Sequence, residues 1–179
     1  MTDLQLVTLI IARLNARFAG AGHAMRAKQN YGPIEHGADS APTMYLHRIG
    51  SPKPYGSPRR HDEYDETAGA MGQTREQQWS AVWQLTSYSP QSITDLDAPT
   101  AADLLAFAVD ALTAEPFLDQ LAAQGAGLLA PTNAGGEYLL GDYDRFIFWP
   151  HIDMTFVYST VQTEAGPATS ALKSGIYRV

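Results

Sequence analysis

Gln78-Trp-Ser-Ala-Val-Trp-Gln-Leu-Thr-Ser-Tyr88 is the stretch that decides the fold. Trp79, Ala81, Trp83 and Leu85 alternate with Ser80, Val82, Gln84 and Thr86. A repeat of two residues puts alternate side chains on opposite faces of an extended chain. The stretch therefore predicts a β-strand with one face on apolar core and the other toward solvent or a neighbour. Trp79 and Trp83 admit a second use as a stacking platform for bases or sugars. Ala81 and Leu85 share their parity, however, and a core face accounts for all four at once. Ser89-Pro90 ends the strand.

A strand with one apolar face needs a cover, and the chain offers three. Asp3 to Ala19 reads as a helix, with Leu4, Val7, Ile10, Ile11, Leu14 and Phe18 forming one stripe of a 3.6-residue period. Thr2 or Asp3 can cap its start, and Gly20 and Gly22 stop it. A second helix is announced by Pro99, Thr100 and Asp103, a short-acid form of the capping box, and carries Leu104, Leu105, Ala108, Val109 and Leu112 inward. A third follows with Glu115-Pro116 in its first turn and Gly125 past its end, and Leu118, Leu121 and Ala122 are expected inward. Further strands are expected at His23–Asn30, Thr43–Ile49 and Gly127–Ala130, and a long one at Phe146–Val161 with Pro150 marking a bulge or an edge. Consecutive strands without crossover helices pair antiparallel. The class is α+β: a mostly antiparallel sheet packed by an N-terminal helix and a central helix pair.

Residues 50–76 break all periodicity and contain Pro52, Pro54, Gly56, Pro58, Gly69 and Gly72, so they read as a long inserted loop in a single domain of residues 1–163. Residues 164–179 read as an extended C-terminal tail. The loop's charges are ordered: Lys53, Arg59 and Arg60 first, then Asp62, Glu63, Asp65 and Glu66. These seven, and Ile176, Tyr177 and Val179 of the tail, are the expected partner contacts. His61 to Glu66 also offers oxygen ligands, but it lacks the spacing that wraps a loop around calcium and reads as a solvated charge run.

The 179 residues carry 12 basic and 19 acidic side chains, a net charge of −7, and no cysteine. Thiol chemistry, a disulfide framework and Cys-ligated metals are excluded. The acidity argues against a broad nucleic-acid grip. No run of about 18 apolar residues suggests a membrane span, and no signal peptide is evident. His151 and Asp153 share a strand face and could tune a base. Without a nucleophile elbow they read as a cross-strand polar pair on the solvent side. The glycine pairs at 125–127 and 135–136 match neither a Walker loop nor a dinucleotide fingerprint. No catalytic, metal or cofactor site is expected.

The layout resembles the tail-terminator or neck-terminator proteins of tailed bacteriophages over residues 3–163. The resemblance rests on the amphipathic start, Arg26-Ala-Lys-Gln-Asn30, Ala41-Pro-Thr-Met-Tyr-Leu46, the strand 78–88, the helix opening Thr100-Ala-Ala-Asp-Leu-Leu105, the passage Pro116 to Leu129 and the final strand. It implies a structural virion protein at the head–tail junction and no catalysis. In that role copies form a ring, typically a hexamer, that caps the tail tube, stops its polymerisation and joins it to neck and connector proteins, and DNA passes without tight binding. Two other readings stand beside it: a head-completion or connector protein on the portal side, and a small α+β ligand-binding or hydrolytic enzyme using His151 and Asp153.

Overall fold

The computed structural model describes residues 1–29, 41–65, 70–90, 98–140 and 146–168. It is α+β, in the order α1 (Asp3–Gly20), β1 (Arg26–Gln29), β2 (Thr43–Pro54), β3 (Arg59–Asp65), β4 (Ala70–Tyr88), α2 (Ala101–Thr113), α3 (Glu115–Ala123), β5 (Ala126–Leu128), β6 (Thr132–Leu140) and β7 (Phe146–Ala168). Seven strands make one sheet ordered β1-β2-β4-β7-β5, with β3 also on β4 and β6 also on β7. Every pairing is antiparallel except β1 with β2.

Two long strands form the spine. β4 has 19 residues and β7 has 23, and they pair from Ala70↔Ala168 to Thr86↔His151. At about 3.3 Å per residue, β4 alone reaches roughly 60 Å. Each has an outer edge shared by two shorter strands. β2 covers β4 from Trp79 to Tyr88 and β3 covers it from Ala70 to Glu76. β6 covers β7 from Phe146 to Asp153 and β5 covers it from Phe156 to Tyr158.

The face anticipated at 78–88 is the core face. Ala81, Trp83 and Leu85 are buried beside Met154 and Phe156 of β7 and Leu46 of β2, and Trp79 packs against this cluster. The helices cover it. Thr2 and Gln5 form the capping box of α1, and Thr100 and Asp103 that of α2. The Thr100 hydroxyl and N–H both donate to Asp103, which lowers the carboxyl's pKa. Buried Phe117 ties α3 into the same core, with the Arg13 guanidinium over its ring at 5.8 Å. Asn15 accepts the Ala27 N–H at 2.7 Å, which holds α1 against β1.

Several placements differ from the sequence reading. In α1 the buried set is Leu6, Val7, Ile10, Leu14 and Phe18, while Leu4 is 69% exposed. The stripe is rotated so that Leu6 takes the place expected of Leu4. In α3 the buried residues are Phe117 and Leu121, while Leu118 and Ala122 are exposed. The third correction is the largest. Within 50–76 the described residues 50–65 and 70–76 are not a structureless loop: β2 continues to Pro54, β3 follows after a turn with Gly56 at φ +78°, and β4 has already begun at Ala70. Likewise β7 runs on to Ala168 instead of ending at Val161. β6 was not anticipated. It pairs Gly136 with Pro150, one residue beyond the His151 end of the β4–β7 ladder, so the proline falls where β7 has lost one of its partners.

Candidate functional site

Three features lie outside the core. The first is an arm. Beyond Gln77, β3, β4 and β7 continue as a three-stranded ribbon, with Arg59↔Glu76, His61↔Thr74 and Glu63↔Gly72 on one side and Glu76↔Val161 and Thr74↔Thr163 on the other. Its described side chains are exposed or half-buried. Arg59, Arg60, Asp62 and Glu63 all stand on β3, exposed, and Arg60 Nε donates to Asp62 Oδ1 at 3.0 Å. Lys53 is exposed near the end of β2, opposite Ser80. From Arg59 to Asp65 the basic-then-acidic order is thus laid along one strand, with Asp65 as its last residue. Glu66, Ile176, Tyr177 and Val179 lie outside the described residues.

At the opposite end of β7 lies a second hairpin, β6–β7. Tyr138 and Phe148 meet across it as a tilted pair, ring centroids 5.0 Å apart and planes at 40°, 70% and 37% exposed. A Cβ at Gly136 would come within 2.3 Å of the Phe148 ring, so glycine there gives the ring its seat on the backbone. Next to this hairpin, Tyr45 and Tyr88 pack against buried Trp149 at 6.1 and 5.3 Å. The aromatic end and the charged end are separated by the length of the sheet.

The third feature is a polar row on the face away from the helices, where register sets His47 beside Gln84 and Gln84 beside Asp153. Asp153 is buried, not on the solvent side. Its carboxylate accepts from Gln84 Nε2 at 3.0 Å and from Asn133 Nδ2 at 2.8 Å. Asn133 reaches it from a left-handed backbone, φ +49°. Burial lowers the pKa of His47, against the opposing pull of Gln84 and Asp153. Three groups, His47, Gln84 and Asn133, thus gather around Asp153 where the sequence suggested a pair with His151, and they were not legible because their proximity depends on register. Amides hold both carboxylate oxygens, an arrangement that fastens three strands together. Among the described residues no group of three His, Cys, Asp or Glu could hold a metal ion.

The chain is thus a small α+β body with a long sheet, a charged arm at one end and an aromatic hairpin at the other. Residues 5–168 match the family model described as E217 gateway protein gp29, and the chain belongs to that family, a structural family of the phage head–tail junction. Comparison with curated proteins finds no match. The resemblance to neck proteins is thereby met at the level of the junction, and the family is not specifically one of tail terminators.

Proposed function

We propose that the protein forms a ring, a hexamer in the reading adopted here, that caps the tail tube at the head–tail junction and joins it to the neck. The observation that carries this is the two-ended construction of the β4–β7 spine. A junction component must present different surfaces to different neighbours, and here mixed charge on β3 and the tilted Tyr138–Phe148 pair occupy opposite ends of one sheet. Ring contacts between identical subunits are heterologous, so they too require two unlike surfaces on each copy. Directed charges such as Arg59, Arg60, Asp62 and Glu63 steer docking more than they add affinity. DNA passes such a ring without tight binding, because a subunit of net charge −7 opposes accumulation of phosphate.

The test is electron microscopy of particles assembled with the gene deleted. Unjoined tails with overlong tubes, alongside filled heads, are expected. Tails of normal length that fail to attach would instead put the protein on the portal side, and normal virions would refute both positions.

A further inference from the structure

The arm raises a question of hydrogen-bond accounting that the core does not. Among the described residues, β3 over 59–65 pairs only with β4, and β7 over 160–168 also pairs only with β4. Among the described residues the ribbon therefore has two open edges, one on each side, extending roughly 23 Å for the 7 residues of β3. Each open edge presents a row of backbone N–H and C=O groups, a template for another strand. Natural edges are blunted by charge, proline or shortness. Here Val161, Gln162 and Thr163 leave one exposed, uncharged stretch of the β7 edge ahead of Glu164 and Pro167, while β3 carries Arg59, Arg60, Asp62 and Glu63. Among the described side chains of the ribbon none is fully buried.

We infer that the two edges satisfy each other between copies: the β3 edge of one subunit adds to the β7 edge of the next, making the arms one continuous sheet around the assembly. This rests on the ring reading above. The partner is a second copy because every subunit carries both edges. A foreign strand would cover one and leave the other open, whereas head-to-tail association covers both on every member of a closed ring. The topology fixes the sense of the junction. β3 and β7 both run antiparallel to β4, so they run the same way. A neighbour placed by rotation about an axis along the arm pairs them in parallel.

The absence of cysteine from the sequence makes the test clean. His61 and Thr163 both stand opposite Thr74, on the two sides of β4. They are two strand spacings apart within a subunit, roughly 10 Å, too far for a disulfide. Any bridge between them is intermolecular. Particles are assembled with H61C paired with either V161C or T163C, oxidised, and run without reductant beside each single variant. At least one double variant should convert the monomer band into a ladder spaced by 19.5 kDa and ending at the ring's copy number, and the single variants should not. Failure of the edge variants to enter particles that accept the exposed control A12C also supports the inference. Dimers from H61C alone would mean β3 pairs with β3 and would overturn it, as would incorporated double variants that stay monomeric. Absence of even the unmodified protein from particles would instead refute the junction reading.

Discussion

Replacing Trp83 is the sharpest probe of how this sheet is held. Its indole is 1% exposed, in register with Met154 on one side and Arg48 on the other, with the Arg48 guanidinium 5.9 Å from the ring. Trp83→Ala removes the largest fully buried side chain and leaves a void between two strands and the helical layer. Such truncations cost about 3–5 kcal/mol, a large share of the roughly 5–15 kcal/mol that holds a domain folded. At ~2–4 °C per kcal/mol for a chain of this size, the melting temperature should fall by roughly 10 °C. The indole Nε1 has no hydrogen-bond partner among the described residues. Trp83→Phe therefore trades some lost volume against relief of an unpaired donor, which costs about 1–3 kcal/mol when buried, and should destabilise by only about 1–2 kcal/mol. Urea unfolding followed by far-UV circular dichroism measures both. An alanine variant losing less than about 1.5 kcal/mol, or a phenylalanine variant as damaged as the alanine one, would refute the reasoning.

Three further outcomes are expected. Gly136→Ala places a methyl group within 2.3 Å of Phe148, so the ring must leave its seat. The variant should lose about 1–2 kcal/mol and the Tyr138–Phe148 ring contact, read by near-UV circular dichroism. Asp153→Asn puts an NH2 against one of the two amide donors, Gln84 or Asn133, and should cost about 1–3 kcal/mol in urea unfolding. The pH dependence follows from His47, whose pKa burial lowers from the ordinary 6.5. In the window just below 6.5 the unfolded chain binds the proton and the folded one resists it, so stability is full above that pH and declines as the pH falls through it. His47→Gln should flatten that decline, measured by urea midpoints between pH 7.5 and 5.

The parts of the fold legible in the sequence are those where one side of an element is buried. Ala81, Trp83 and Leu85 alternate because the helices cover one face, and Thr100 with Asp103 announces α2 because the cap chemistry is local. The arm escaped for the converse reason. Arg59 to Asp65 and Gly72 to Gln77 are exposed or half-buried wherever described, so no alternation is imposed on them, and Pro54, Gly56 and Pro58 read as loop residues when they in fact mark the junction of β2 with β3. β6 was hidden in the same way by exposed Asn133, Gly135, Gly136 and Glu137. The exchange of Leu6 for Leu4 is an error of phase. Both lie within reach of the apolar stripe, and the contact with the sheet chooses Leu6. Asp3 helps set that phase, because it pairs with Arg48 and accepts the Tyr158 hydroxyl at 2.9 Å. Burial, with Asp3 adding to it, pushes the Tyr158 hydroxyl up to about 12. For the candidate site, the sequence supplied the charges of residues 53–66 but not the strand that displays them, and it supplied His151 and Asp153 but not the strands that bring Gln84, Asn133 and His47 alongside.

The protein's structural place at the head–tail junction is read most directly by cryo-electron microscopy of virions carrying an epitope or density label on it. The account predicts label density in a ring at the junction, between the neck and the first layer of the tail tube. Label confined to the capsid shell or the distal tail, or absent from purified virions altogether, would contradict it.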